Sequence, residues 1–250
     1  MANYRKQLIT FFLLPALIIL FVITAYPFVF GIYNSFHDWV MYKPQMGKPF
    51  VGLDQYIRVF SDPYFWQALG RSCVYVLVGV FCSIGLGFLQ ALAMNHDALR
   101  AKAFLRSVLI IPIVIAPVVA GYAFRFMYNT DLGVLPWLLG QVGVHIDRIL
   151  GDPALALYAV IVVDVWSQTP LAFMVLLAGL QGINPELYEV AAIDGGSAWQ
   201  SLRHITMPLL RRSFLVVVLI RAIDAFKAFD ILYVMTEGGP GRASEVMSVY

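Results

Sequence analysis

Residues Asn184 to Pro208, NPELYEVAAIDGGSAWQSLRHITMP, form a polar interruption between two of the most apolar stretches of the chain. Asn184 suits an N-cap, and Pro185 suits the first helical turn, where a backbone N–H would be unpaired in any case. The pattern predicts a helix from Pro185 to about Asp194, stopped by Gly195 and Gly196. Ser197 can cap a second short helix through Ala198, Trp199, Leu202 and His204, and Pro208 marks the entry of the next apolar helix. The expectation is two short helices joined at a glycine elbow.

On the first of these helices Leu187, Ala191 and Ala192 fall near one side, where the small alanines let a groove wall come close. Glu186, Glu189 and Asp194 remain polar. A short amphipathic helix offered at a membrane surface is a ligand for a groove, and its acids select a partner carrying Arg or Lys. A hairpin that only rests on lipid headgroups fits the same spacing.

The flanking chain settles the solvent. Of 250 residues, 60% are hydrophobic, 14% aromatic and only 13% charged, less charge than a soluble domain of this size carries. The composition is that of an all-α polytopic membrane protein, with most of the chain in helices against lipid or against one another. A formal net charge of +2 gives no basis for a nucleic-acid surface. Cys73 and Cys82 share one apolar segment nine positions apart, which implies neither a disulfide nor a metal site.

Five apolar runs read as spans. Arg5 and Lys6 precede the first, Leu8 to Phe36, which is too long for a signal-peptide core and lacks a small-residue cleavage site. Residues 1–36 are therefore tail plus first span. Residues 37–71 form an external segment whose Tyr56, Phe60, Tyr64, Phe65 and Trp66 suggest interfacial helices. Residues 72–250 make the core, with spans at about Ser72–Met94, Val108–Tyr128, Pro153–Leu180 and Ser213–Met235. Pro112 and Pro117 lie inside the third span, where freed carbonyls need neighbours or a wet cavity. Asn129 to Asp152 form a polar loop carrying Asp131, Asp147, Arg148 and Asp152, and TEGGPGRAS, Thr236 to Ser244, is a turn cluster.

Glu189, Ala191, Asp194 and Gly195, followed by Ile205 and Pro208, resemble the EAA loop of ATP-binding-cassette (ABC) importer permeases. Val190, Gly196 and Met207 replace the usual Ala, Ala and Leu, which changes size but not polarity. Gly52 to Leu69 (GLDQYIRVFSDPYFWQAL), Leu105 to Asn129 (LRSVLIIPIVIAPVVAGYAFRFMYN) and Thr236 to Pro240 are similar to segments of the carbohydrate-uptake group, the maltose and glycerol-3-phosphate type that depends on a binding protein. Ser244 stands where that group usually has threonine.

The resemblance implies a type I importer bundle, with a sixth helix due where the chain stops at Tyr250. It also implies a multi-pass protein of the bacterial plasma (inner) membrane, working as the permease subunit that carries a sugar or related polyol into the cytoplasm. Glu186, Glu189, Ala191, Ala192, Asp194 and Gly195 would form the coupling helix docked in an ATPase cleft. Partners implied are two cytosolic ATPase subunits that hold ATP and Mg, a second related permease subunit in a heterodimer, an external solute-binding protein and the lipid itself. No G-x-x-x-x-G-K-[ST] sequence occurs, so the chain is not expected to bind ATP or any other cofactor.

Orientation follows from Lys and Arg beside the spans. Arg5, Lys6, Arg100, Lys102, Arg106, Arg203, Arg211 and Arg212 lie on the side with shorter loops, against Lys43, Lys48, Arg58, Arg71, Arg148 and Arg242 on the other. The N-terminus and the 184–208 loop are therefore expected in the cytoplasm.

Charges within or near spans are costly in lipid and should face the bundle or water. Arg221, Asp224, Lys227 and Asp230 alternate in sign at three-residue steps, so neighbours can meet, but about 60° of drift per step keeps all four from lining one wall. Ion pairs that hold helices together are one reading of Arg221 and Asp224. Asp164, Trp166 and Gln168 combine an aromatic face with groups that take hydroxyls, which suits a sugar. Arg125, Lys227 and Asp230 complete the candidate solute pathway, and a phosphorylated solute would give Arg125 or Lys227 more weight. An ion-coupled secondary transporter would use the same charges as a relay. His37, His96, His145 and His204 lie outside or at the edges of spans with no HExxH or Ser-His arrangement, so no catalytic or metal-binding residue is assigned.

Overall fold

A computed structural model describes residues 2–39, 47–96, 101–143 and 148–250, with side chains from residue 9 onward. Lys43, Arg100, His145, Asp147 and the side chains of Arg5 and Lys6 lie outside the described residues. Among the described residues eleven α-helices follow in order: α1 (Ala2–Ser35), α2 (Asp54–Ser61), α3 (Pro63–Asn95), α4 (Lys102–Val114), α5 (Pro117–Met127), α6 (Val134–Gln141), α7 (Ala156–Gln181), α8 (Glu186–Ile193), α9 (Ala198–Ser201), α10 (Met207–Phe226) and α11 (Asp230–Thr236). A π-helical turn, Leu202–Thr206, joins α9 to α10. The only β pairing among the described residues is the isolated bridge between His37 and Phe50.

The chain packs as two units, Met1–Trp66 and Gln67–Tyr250. In the first, α1 is apolar all round and nothing in its Ile9–Ser35 stretch is buried by protein, as befits a helix whose solvent is lipid. After α1, Asp38 donates to the Pro49 carbonyl at 3.0 Å and Val51 to that of Phe36 at 2.9 Å. α2 returns to the end of α1, where Tyr56 meets the Ser35 hydroxyl at 2.8 Å and the Phe36 ring at 5.8 Å.

The second unit is built on α7, most of whose length is buried. α3 presents Tyr75, Gly79, Ser83 and Gly87 at four-residue intervals, one stripe on one face. A Cβ on Gly87 would fall 2.6 Å from that of Ala172 and 2.7 Å from the Phe173 nitrogen, so the backbones of α3 and α7 meet there only because the side chain is absent. Two turns further along α7, a Cβ on Gly179 would lie 2.5 Å from the Ser213 hydroxyl and 2.8 Å from Leu210 of α10.

The spans differ from the sequence reading in three places. Pro63 to Arg71, expected as interfacial, are the first turns of α3, and Ala68 and Ser72 already face the core. The third span is not one helix: α4 and α5 meet at 94°. Proline disfavours a helical conformation in the residue before it, and Ala116, which precedes Pro117, is extended at ψ 137°. The fifth run is divided between α10 and α11 at Lys227 to Phe229. Among the described residues three helices are long and apolar enough to cross a membrane, or four if α4 and α5 count as one broken span.

Candidate coupling loop and polar cavity

The hairpin between α7 and α10 is built from local bonds. Asn184 acts one residue earlier than a side-chain N-cap would: its Oδ1 accepts from the Glu186 amide and its Nδ2 donates to the Glu186 carboxylate, both at 3.1 Å. α8 ends in a Schellman motif, with the Gly196 amide donating to the Ala191 carbonyl at 2.8 Å and the Gly195 amide to that of Ala192 at 3.1 Å. Gly195 sits at φ +76°, which disfavours any side chain. Ser197 and Gln200 form a reciprocal capping box on α9. From there the helix passes through the π turn into α10 without a break. Tyr188 and Thr206 share a hydroxyl hydrogen bond of 2.9 Å, which pins α8 to the base of α10.

No residue of α8 or α9 is buried. Leu187, Val190, Ile193 and Trp199 are exposed, Ile193 at 85% and Trp199 at 68%, beside the acids Glu186, Glu189 and Asp194. The apolar side therefore differs from the Leu187, Ala191 and Ala192 set. Ala191 is half-buried under the elbow, while Val190, Ile193 and Trp199, which the spacing argument passed over, carry the free surface. A tryptophan inside a polar loop was the available signal for the last of these.

A second feature lies between α3, α7 and α10. The Arg221 guanidinium donates to Asp164 Oδ2 at 2.7 Å and to the Ser83 hydroxyl at 3.3 Å, with Arg221 at 1% and Asp164 at 5% exposure. Gly79 leaves room for the carboxylate, since a Cβ there would lie 3.3 Å from Oδ2. Arg221 thus pairs across helices rather than with Asp224, which instead meets Lys227 at 2.9 Å in an exposed pair.

Adjoining the buried pair is a cavity of about 390 Å³ lined by Asp164, Gln168, Asp224, Lys227, Phe229 and Asp230, among others. It brings together four of the six pathway residues expected from sequence: Asp164, Gln168, Lys227 and Asp230. Trp166 instead packs on Phe124, with ring centroids 5.0 Å apart, and faces a separate apolar cavity against Pro112 and Pro170. Arg125 donates to the Val234 carbonyl at 2.8 Å, pairs with Glu237 at 3.3 Å and borders a third cavity with Arg148. The turn cluster after α11 is pinned by Ser244, whose hydroxyl lies 2.6 Å from the Gly239 carbonyl oxygen and 2.7 Å from the Thr236 hydroxyl. Among the described residues no cluster of His, Cys, Asp and Glu could hold a metal ion.

Known proteins share both the sequence pattern and the fold. Residues 83–247 match the family described as binding-protein-dependent transport system inner membrane component. The trehalose/maltose transport system permease protein MalF of Thermococcus litoralis is 36% identical over 248 residues, spanning 99% of this chain and 83% of that protein. The trehalose transport system permease protein SugA of Mycobacterium tuberculosis is 31% identical over 240 residues, 96% of this chain and 76% of its own length. The crystal structure of a bacterial ABC transporter involved in the import of the acidic polysaccharide alginate contains a chain of the same fold, with a TM-score of 0.83 at 23% identity, covering 99% of this chain and 83% of that one. With the family match extending from α3 through the hairpin and past α11, this chain belongs to the inner-membrane components of binding-protein-dependent transport systems.

Proposed function

We propose that the chain is the permease subunit of an ABC importer that carries a sugar or related polyol into the cytoplasm. The observation that carries this reading is the exposed hairpin of α8 and α9: a capped, rigid element with apolar and acidic groups and no cover of its own, set between two core helices. Relatives named as trehalose and maltose permeases support the solute class.

In this reading the N-terminus and the hairpin face the cytoplasm, where the hairpin docks on one of two ATPase subunits that bind ATP and Mg. Glu186, Glu189 and Asp194 meet basic groups of the cleft, and Leu187, Ala191, Ala192 and Gly195 shape the contact. A second permease subunit completes the passage, and an external binding protein delivers the solute. ATPase closure moves the hairpin, and with it α7 and α10, between inward- and outward-facing arrangements. Hydrolysis shifts the equilibrium only through contacts that differ between the two states. The solute passes the cavity of Gln168, Lys227 and Asp230, with Asp164 held by Arg221 at its wall, while Trp166 and Arg125 act outside it. The ion-driven alternative draws no support from the family match, and the buried charges of Asp164 and Arg221 are spent on each other.

The test is solute-stimulated ATP hydrolysis by the assembled complex carrying Glu189→Lys or Gly195→Asp. Hydrolysis should no longer respond to solute while the complex still assembles in the membrane. A response equal to that of the unmodified complex would overturn the coupling role of the hairpin.

A further inference from the structure

We infer that the polar cavity selects against anionic carbohydrates, and that Asp230 is the residue responsible. The inference rests on the proposed passage of solute through this cavity and adds the charge class of what passes. Three carboxylates and two cations line the cavity. Asp164 is neutralised by Arg221 at 2.7 Å, and Asp224 by Lys227 at 2.9 Å. That leaves Asp230. It is exposed in the first turn of α11, and among the described residues no cation lies within ion-pair distance of it.

The remaining lining suits a neutral polyol. The Gln168 amide offers both donors and an acceptor, the Asp224 and Lys227 pair is exposed enough to exchange partners with hydroxyls, and the Phe229 ring gives an apolar face for C–H groups. A carboxylate or phosphate on the solute would meet Asp230 with no free cation to receive it. An anion at Lys227 would share that ammonium with Asp224 and sit in a cavity that already holds three carboxylates against two cations. The fold does not impose this choice, because a chain of the same architecture belongs to an importer of an acidic polysaccharide. The charge preference resides in these side chains.

The experiment measures equilibrium binding of trehalose and of its singly C6-oxidised uronate to the assembled transporter in nanodiscs, without the external binding protein, at low and high salt. A like charge about 5 Å from an exposed carboxylate is worth about fourfold in Kd at the dielectric of water, so the uronate should bind at least about fourfold more weakly than trehalose at low salt. Asp230→Asn should shrink that gap to within about twofold, and Lys227→Gln should widen it. Equal binding of the two sugars, or a gap that Asp230→Asn leaves intact, would overturn the inference. Gln168→Ala and Phe229→Ala separate this from the reading it rests on. If both sugars weaken in these variants but charge makes no difference, only the charge inference fails. If neither variant affects trehalose, the cavity is not on the solute path and both fail.

Discussion

Separating Asp164 from Arg221 should be among the most damaging single changes in the second unit. The two are 2.7 Å apart and nearly inaccessible to solvent. Coulomb attraction at that distance is about 6 kcal/mol for an effective dielectric of about 20, and much of it offsets the cost of desolvating both ions. The pair as a whole therefore adds little net stability. Removing one partner is different, because the survivor is a buried, uncompensated charge. Asp164→Asn should cost about 3 to 5 kcal/mol, with the guanidinium left to Ser83 and an amide oxygen. Arg221→Gln should cost about the same, with the carboxylate left facing the tight wall at Gly79. In the double variant two neutral amides can bond across the gap, so the loss should shrink to about 1 or 2 kcal/mol. The assay is the thermal unfolding midpoint of the assembled complex in detergent for all four combinations. A coupling of about 3 kcal/mol or more is expected, and additive losses in the double variant would refute the argument that the charges stabilise each other rather than the bundle.

Three further outcomes follow from the packing. Gly87→Val should lower the yield of monodisperse protein and the unfolding midpoint, by about 1 to 3 kcal/mol, because its side chain meets backbone at Phe173, whereas Gly70→Ala, on the same helix with open space around it, should be neutral or stabilising by up to about 1 kcal/mol. Ser197→Ala removes the capping box and should cost the hairpin about 1 kcal/mol, read as faster hydrogen exchange at the amides of α9 with no change in the amides of α7. Ile193→Asp should leave the thermal midpoint unchanged, since the residue is exposed, and, on the proposed docking of the hairpin, weaken capture of an ATPase subunit by at least about tenfold in a pull-down titration.

The sequence was most legible where structure is made by neighbours. Asn184, Gly195, Gly196 and Ser197 each act within five residues of themselves, so their bonds could be anticipated from residue type, and the elbow and the second cap lie where the pattern placed them. Span breaks were half legible. Pro112 and Pro117 marked the place of the bend, but its size depends on Ala116 adopting an extended conformation, which only the packed chain fixes. The partner of Arg221 was illegible. That Arg221 would hold helices together was one of the readings, but spacing showed only that Asp224, three residues away, could meet it, whereas the actual acceptor is 57 residues earlier on another helix. For the same reason Asp164 and Trp166 looked like one site in the sequence: two residues apart on a helix, they point to opposite sides, one into the charge centre and one onto Phe124.

The bare surface of Leu187, Val190, Ile193 and Trp199 bears on how the cell must make this protein. A copy inserted ahead of whatever shields that surface presents adhesive groups to chaperones and proteases in the meantime. Excess copies would therefore be cleared rather than stored. If the proposed docking is what covers it, abundance should track the supply of the docked subunit, and overexpression of this chain alone should yield degradation fragments cut near the glycine elbow.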